Sequence, residues 1–226
     1  NSSIIVIPAL NEVGTIEQVV SSLLRYGDVL VVDDGSHDST AEVATLAGAM
    51  VVVNKNNLGY DGALNVGFQF AKLNKYEKMI SFDADGQLPN CAVPNFINAL
   101  DQNTALVLGI RNCIPRSSEK LFAKFCNKIL GLQDPFCGMK AYNLAFCQRI
   151  ESFDEYKSLG TYLCLRLILA GYSFKAINIT VSDRNGVPRM GRRIQAELKL
   201  LRALTFGALL IAKSLIFRKL KTHKGL

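Results

Sequence analysis

Hydrophobic and polar positions follow two alternating patterns through the first half of the chain. Short β-branched runs predict strands, and between them apolar residues recur at helical spacing. The runs that predict strands are Ser3–Ile7, Val29–Val32, Met50–Val53, Met79–Phe82 and Ala105–Leu108. The segments that predict helices are Thr15–Arg25, Thr40–Ala47, Ala63–Lys72 and Val93–Leu100. This alternation predicts an α/β fold, with a mostly parallel central sheet flanked by helices.

The second half of the chain has a less regular pattern. Its apolar spacing predicts two helices and one further strand, at Ser118–Leu130, Thr161–Ala170 and Phe174–Val181. The segment Asp134–Lys140 predicts a turn that leads into a short strand. A glycine- and arginine-rich loop is expected at Arg184–Arg193, and a long helical pattern follows at Gln195–Lys221.

Polar residues and glycines follow four of the predicted strands, at the point where each strand ends. These segments are Pro8–Glu12, Asp33–Ser36, Asn56–Gly59 and Asp83–Asp85. In parallel α/β sheets, ligands bind outside the carboxyl ends of the strands. The four segments therefore predict one composite binding site.

The segment Ser81–Gln87 reads Ser-Phe-Asp-Ala-Asp-Gly-Gln and places two carboxylates one residue apart after an apolar run. Because side chains along an extended chain alternate with period two, Asp83 and Asp85 are expected to point to the same side. Carboxylate oxygens are the ligands that Mg²⁺ or Mn²⁺ prefers, often together with substrate phosphates. The segment therefore predicts a divalent-cation site.

Length and composition limit the domain organisation and the kinds of metal site that the chain can have. The chain has 226 residues, 49% of them hydrophobic, which suffices for one large domain or two small ones. Six cysteines without a C-x-x-C pair, and only two histidines, argue against a zinc site. We expect buried free thiols in a reducing cytosol. No signal peptide is recognisable, so a cytoplasmic location is expected.

Positive charge is concentrated in the last part of the chain. Residues 184–226 contain eleven Lys or Arg and one Glu, a net charge of +10, which leaves −3 for the rest of a chain whose total is +7. The uncharged stretch Ala203–Ala212 is shorter than the twenty or so residues that a membrane span needs. Apolar and basic residues together predict an amphipathic helical tail on an anionic membrane surface.

Two other partners are conceivable for this tail. A helix that packs on its own domain, or on a second copy in a homodimer, is the alternative to a membrane surface. Nucleic acid is not expected, because the sequence lacks the platform of aromatic and basic residues that such binders use.

The motifs stand in the order and spacing found in the family 2 glycosyltransferases, which have the GT-A fold. The matching segments are Ile7–Glu12, Val32–Thr40, Asn57–Gly59 and Asp83–Gln87, and the resemblance covers roughly residues 3–190. Within the family, the chain looks most similar to dolichyl- or polyprenyl-phosphate sugar synthases. Asp134–Tyr142 resembles their D-P-x-x-G-[FM]-[RK]-x-Y segment, and an Arg/Gly loop lies near Arg184. A GT-A domain over residues 1–190 and a helical tail over 191–226 are therefore expected.

The resemblance implies a role for each motif residue. It implies that the nucleotide of a GDP-mannose or UDP-sugar donor is bound by Pro8, Leu10, Glu12, Asp34, Asp83 and Ala84. It implies that Mg²⁺ or Mn²⁺ and the diphosphate are held by Asp83, Asp85 and Gln87. It implies that donor or acceptor phosphates are contacted by Arg111, Arg184 and Arg189, and that the sugar configuration inverts.

The nature of the acceptor depends on what the chemistry needs. A phosphate acceptor is already ionised at neutral pH, so arginines that orient it matter more than a base. A saccharide hydroxyl needs a carboxylate base, and Asp134 is the candidate. The family loop usually carries a Ser-Lys pair, where this chain has Pro188-Arg189. Both acceptors therefore remain open.

The sequence thus predicts a metal-dependent, inverting glycosyltransferase. We expect it to act on polyprenyl or dolichyl phosphate, at the cytosolic face of a membrane. Transfer to a saccharide hydroxyl in glycan or cell-surface polysaccharide synthesis is the second reading. A non-catalytic protein that binds nucleotide sugars is the alternative from another class, and the intact Asp83, Asp85 and Glu12 count against it.

Overall fold

One sheet of seven strands lies at the centre of the computed structural model, which describes residues 2–147, 160–182, 201 and 204–212. The strands are β1 (Ser3–Ala9), β2 (Asp28–Asp33), β3 (Met50–Val53), β4 (Lys78–Ser81), β5 (Leu106–Arg111), β6 (Lys140–Asn143) and β7 (Phe174–Ile179). Their order across the sheet is β3-β2-β1-β4-β6-β5-β7. Within it, β6 runs antiparallel to both neighbours and every other pair is parallel. The predicted fold class is thus confirmed.

Helices cover both faces of the sheet. They are α1 (Ile16–Leu23), α2 (Thr40–Leu46), α3 (Gly59–Leu73), α4 (Val93–Ala99), α5 (Ser117–Leu130), α6 (Leu144–Cys147) and α7 (Tyr162–Leu169). A short 3₁₀ turn at Asn90–Ala92 precedes α4. The six helical patterns predicted between residues 15 and 170 correspond to α1–α5 and α7, and α6 was not predicted.

The central strands are buried on both faces, so they are apolar throughout instead of alternating with polar residues. On one face, Ile4 and Val6 of β1 pack in a core with residues of α3, α5 and α7. On the other, Ile5 and Ile7 pack in a core with residues of α1, α2 and α4. Each fully buried Ile or Val contributes roughly 1.5–3 kcal/mol of hydrophobic stabilisation. This double burial fixes β1 and therefore the loop that follows it.

Helix α3 lies unusually close to the sheet. A Cβ atom at Gly67 would lie 2.2 Å from Cγ1 of Val6, so only glycine allows this approach. The helix begins at Gly59, four residues before the predicted start at Ala63. The difference arises because Asn56–Gly59 was expected to form a loop after β3. Gly59 has φ +79°, which glycine adopts without strain. The close packing brings the first turn of α3 to the carboxyl ends of β1 and β4.

The remaining boundaries show small differences from the sequence expectations. Strand β4 ends at Ser81 and β5 continues to Arg111, so Phe82 lies outside the sheet and Arg111 inside it. All six cysteines are free, as expected, but Cys91 and Cys113 are exposed instead of buried.

The C-terminal segment is described only in part. Residue 201 and residues 204–212 are helical, and the rest of the predicted Gln195–Lys221 helix lies outside the described residues. None of the helices in the described part of the chain has the length and apolarity needed to cross a membrane.

Candidate active site

The loops that follow β1 and β2 are joined by reciprocal hydrogen bonds. The Asn11 backbone N–H donates to Ser36 Oγ at 2.8 Å, and the His37 backbone N–H donates to Asn11 Oδ1 at 2.9 Å. The Glu12 backbone N–H donates to Thr40 Oγ1 at 2.8 Å. Asn11 has φ +53°, a left-handed conformation that asparagine tolerates better than most residues. The first two predicted motifs therefore form one surface.

Glu12 is brought to the Asp-Ala-Asp segment by a threonine. The Thr15 hydroxyl lies 3.0 Å from Glu12 Oε2 and 2.8 Å from the Ala84 carbonyl oxygen, within hydrogen-bonding distance of both. Glu12 and Ala84 are both buried. The structure thus places the end of the first motif directly beside the fourth.

The carboxylate of Asp34 is buried and accepts three hydrogen bonds. Asn54 Nδ2 and the Leu58 backbone N–H donate to Oδ1, each at 2.9 Å, and the Gly59 backbone N–H donates to Oδ2 at 2.7 Å. Asp34 therefore fixes the loop before α3 and the start of that helix. Its predicted contact with the nucleotide stays a prediction, and its observed partners give it a positioning role.

The other two residues predicted to bind the nucleotide lie at the end of β1. Pro8 is buried and pairs in register with Val32, a position where a central strand rarely accepts proline. Leu10 is half-buried just beyond the strand. Both lie next to the joined loops, and their contact with a nucleotide stays a prediction.

Asp83 and Asp85 follow β4 but lie in a turn, since the strand ends at Ser81. The expected alternation along an extended strand therefore does not reach them. The turn closes through the Gln87 backbone N–H, which donates to Asp85 Oδ1 at 3.1 Å. Gly86 supports it with φ +74°. Both residues are half-buried, and their carboxyl groups lie close enough for the charge of Asp85 to raise the pKa of Asp83.

The carboxyl group of Asp83 is held in place from two sides. Tyr60 Oη, in the first turn of α3, donates to Asp83 Oδ1 at 2.9 Å. Gly138 lies against the other oxygen, where a Cβ atom would be 2.0 Å from Oδ2. The contact arises because β6 pairs with β4, which sets Ser81 opposite Lys140. The absence of a side chain at Gly138 therefore leaves space for the Asp83 carboxylate, and any larger residue would fill that space.

The electrostatics of Asp83 fit a cation. Burial and the neighbouring charge of Asp85 raise its pKa to about 6, although the Tyr60 hydrogen bond, Lys140 and Arg111 lower it. A divalent ion would relieve this repulsion between two carboxylates. Among the described residues, no three His, Cys, Asp or Glu side chains come together. Asp83 and Asp85 thus supply part of a ligand set, and an ion held here would take its remaining ligands from a substrate or water, as Mg²⁺ commonly does.

The Gln87 side chain forms a hydrogen bond with Ser182 of the protein itself. Its Nε2 donates to the Ser182 carbonyl oxygen at 2.9 Å, and the Ser182 backbone N–H donates to the Gln87 carbonyl oxygen at 3.0 Å. The pair joins the Asp-Ala-Asp turn to the residues that follow β7. The predicted role of Gln87 as a metal ligand stays a prediction, and the structure shows an anchoring role.

Arg111, at the end of β5, is bound by two buried carboxylates. Its Nε and one terminal nitrogen donate to the two oxygens of Asp134 at 2.8 and 2.9 Å, and the same terminal nitrogen donates to Glu119 Oε2 at 3.0 Å. Burial alone would lower the pKa of Arg111, yet the hydrogen bonds and charge of Asp134 raise it above its usual value. Asp134 is 1% exposed. Both of its oxygens serve Arg111, an arrangement that suits a positioning residue better than a general base.

Three residues that contribute to this site, Tyr60, Gly138 and Lys140, were not predicted from the sequence to have a functional role. Tyr60 directly follows the Asn-Leu-Gly motif, and Gly138 and Lys140 belong to the segment that begins at Asp134. Lys140 is buried, and its Nζ donates to the Cys137 carbonyl oxygen. The only sequence feature that could have indicated a role for these three residues was their position in or next to a predicted motif. Arg184 and Arg189, predicted to contact phosphates, lie outside the described residues.

Comparison with known proteins defines the class to which this fold and site belong. The sequence profile of glycosyl transferase family 2 matches residues 4–133, more than half of the chain. The chain therefore belongs to glycosyl transferase family 2, as the four motifs predicted.

Solved structures share the fold at low sequence identity. Glucosyl-3-phosphoglycerate synthase from Mycobacterium tuberculosis, crystallised with Mn²⁺ and uridine-diphosphate-glucose, is similar over 90% of this chain and 78% of its own. The TM-score is 0.69 and the identity is 21%. The likeness confirms the GT-A fold.

Relatives among curated proteins extend beyond the matched family region. An uncharacterised protein of Methanocaldococcus jannaschii is 30% identical over 190 residues, which cover 74% of this chain and 82% of that protein. The undecaprenyl-phosphate 4-deoxy-4-formamido-L-arabinose transferase of Aeromonas hydrophila is 29% identical over 176 residues, covering 66% of this chain. The chain spans 53% of that transferase's length.

Proposed function

We propose that this protein transfers a sugar from a nucleoside-diphosphate sugar to polyprenyl phosphate, with inversion at the anomeric carbon. The observation that carries the proposal is the fixed Asp83 carboxyl beside Asp85, at the carboxyl end of β4 in a family 2 domain. The acceptor is suggested by the relative whose name specifies transfer to undecaprenyl phosphate. Residues 1–190 form the catalytic domain in this proposal, and residues 191–226 form a tail at the membrane surface.

The donor binds across the carboxyl ends of β1, β2 and β4. Glu12 and Asp34 lie at the nucleoside end, where Asp34 shapes the Leu58–Gly59 backbone and Glu12 lies beside the Asp-Ala-Asp turn. Asp83 and Asp85 lie at the diphosphate end. When bound there, Mg²⁺ or Mn²⁺ would neutralise charge that develops on the leaving diphosphate. Tyr60 and Gly138 keep the Asp83 oxygens in one orientation for this purpose.

The acceptor side is built around Arg111. A phosphate oxygen of the acceptor forms a bond with the anomeric carbon while the bond from that carbon to the nucleoside diphosphate breaks. The acceptor phosphate is already ionised, so no general base is needed. Arg111 contacts it with the terminal nitrogen that Asp134 and Glu119 do not use, and these two carboxylates hold the guanidinium plane.

The buried state of Asp134 favours a phosphate acceptor over a saccharide hydroxyl. A hydroxyl acceptor needs a carboxylate that can take up its proton, within about 3 Å of the oxygen. Both Asp134 oxygens are bound by Arg111 in the present arrangement. The proposal therefore assigns Asp134 to the positioning of Arg111.

Radiolabelled UDP- and GDP-sugars, incubated with polyprenyl phosphate with and without Mn²⁺, test the proposal directly. A product that extracts into organic solvent, formed only with the metal, is expected, and its anomeric configuration follows from NMR. A water-soluble product would indicate a saccharide acceptor. Nucleotide binding without turnover would indicate a non-catalytic protein.

The Asp85→Asn variant tests the metal assignment with little change of shape. Turnover is expected to fall at least about 100-fold, because one of two anionic ligands is lost. Asp101→Asn is the matched control, since Asp101 is an exposed carboxylate paired with Lys175 away from the site. Equal activity of the two variants would contradict the assignment.

A further inference from the structure

Helix α5 displays two parallel stripes of side chains to solvent. One is apolar and consists of Leu121, Phe125 and Ile129, which are 71%, 40% and 37% exposed. The other consists of Lys120, Lys124 and Lys128, all of them exposed. Both stripes repeat every four residues, so each runs along the helix for about 12 Å. We call the six residues together the α5 surface.

The helix is attached to the protein by its remaining side. Glu119, Phe122, Ala123 and Cys126 are buried, so α5 cannot turn its apolar stripe inward. A second helix, residues 204–212, packs against it closely, since a Cβ atom at Gly207 would lie 2.7 Å from the Phe122 ring. The apolar stripe stays exposed although the helix of residues 204–212 packs on α5.

The positive charge of the three lysines on the α5 surface indicates the chemistry of its partner. None of the three lysines forms a salt bridge with a described residue, so their charges are available to a partner. Lysines flanking a stripe of Leu, Phe and Ile suit the boundary of an anionic bilayer, where the apolar groups enter the acyl region and the ammonium groups reach the phosphates. A protein partner would instead require acidic side chains opposite this lysine stripe.

We propose that the α5 surface docks on an anionic lipid bilayer and so presents the acceptor side of the active site to the membrane. This inference rests on the proposed function, in which Arg111 contacts the acceptor phosphate. Helix α5 begins close to Arg111. Glu119, in the first turn of the helix, binds Arg111 at 3.0 Å and Arg116 at 3.1 Å. Docking of the helix therefore fixes the height and orientation of Arg111 above the lipid phosphates.

Vesicle co-sedimentation of the full chain tests the lysine stripe. The wild-type protein is expected to bind vesicles of phosphatidylcholine mixed with phosphatidylglycerol, and to bind pure phosphatidylcholine weakly. Replacement of the three lysines by glutamine should lower the partition coefficient about 100-fold, because each contributes roughly a factor of five near an anionic surface. The control removes three positive charges from other elements, at Lys55, Lys72 and Lys75.

A second variant tests the apolar stripe with no change of charge. Leu121, Phe125 and Ile129 are replaced together by serine, and the expected loss of vesicle binding is at least about 10-fold. Serine at Leu46 and Leu73, which are 87% and 80% exposed on other helices, is the matched control. Thermal unfolding confirms that each variant remains folded.

The outcomes separate docking from catalysis. Loss of binding in both α5 variants, with sugar transfer to detergent-dispersed polyprenyl phosphate retained, supports the proposal. Unchanged vesicle binding in either α5 variant overturns it, and assigns membrane contact to another segment. A wild-type dimer that the serine variant converts to a monomer, with equal vesicle binding, also overturns it. Absence of sugar transfer by the wild-type protein would refute the proposed function alone.

Discussion

Substitution of Gly138 by alanine removes the space that Asp83 occupies. The new Cβ atom would lie 2.0 Å from Asp83 Oδ2 and 2.5 Å from Cγ, whereas ordinary contacts begin at 3.4 Å. The carboxylate must therefore move by about 1.4 Å, which is the difference between these two distances. Such a movement also lengthens or breaks the 2.9 Å hydrogen bond from Tyr60.

The size of the effect follows from the tolerance of metal sites. Metal–ligand distances vary by only about 0.2 Å, so a shift several times larger removes one ligand. A misplacement of about 1 Å in catalytic geometry costs roughly 100-fold in rate. We therefore expect Gly138→Ala to lower kcat/KM at least about 100-fold, or about 2.7 kcal/mol of transition-state stabilisation. Mn²⁺ affinity, measured by water proton relaxation, should fall in parallel.

Two controls make the test specific to the contact with Asp83. Gly14→Ala makes the same chemical change where no atom lies within 4 Å of the new Cβ, and it should retain activity. Gly138→Ala is also expected to destabilise the protein by about 1–3 kcal/mol. This cost should largely vanish in an Asp83→Ala background, because the clashing carboxyl is then absent. Equal costs in both backgrounds, or wild-type Mn²⁺ affinity in Gly138→Ala, would refute the reasoning.

The remaining predictions concern pH and the loop before α3. Because the pKa of Asp83 is about 6, well above its usual 3.8, protons compete with the metal, and Mn²⁺ affinity should fall as the pH drops below 6. Tyr60→Phe removes a hydrogen bond that lowers this pKa, so its Mn²⁺ binding curve should shift to higher pH; an unshifted curve contradicts the role of Tyr60. Asp34→Asn should lower the unfolding free energy in urea by about 1–3 kcal/mol, since an amide cannot accept all three hydrogen bonds; unchanged stability would contradict the positioning role of Asp34.

Most of the fold could be predicted from the sequence because burial on both faces makes a parallel strand apolar along its whole length. Met50–Val53 was predicted with the boundaries of β3, and the other strands differ by a few residues. The antiparallel placement of β6 between β4 and β5 could not be predicted, because it depends on pairing between segments far apart in the chain. Local patterns contain no information on such register.

The sequence predicted at which edge of the sheet the candidate site lies, but it did not predict the contacts between the side chains there. Four polar strand ends correctly pointed to one edge of the sheet. The sequence could not show that Asp134 binds Arg111, or that Gln87 binds Ser182, since each contact joins residues from different elements. Asp34 was expected to face a ligand, and its three protein partners became visible only when the loop before α3 was positioned.

The pairing of β6 with β4 has a consequence for the order in which the chain is made. Ser81 and Lys140 contact each other although they are 59 residues apart. A ribosome-bound chain that has emerged only as far as β4 contains the first four strands and the loops that follow β1 and β2, but it lacks Gly138. The packing of Gly138 against Asp83 can therefore form only after residues from both halves of the chain have been synthesised.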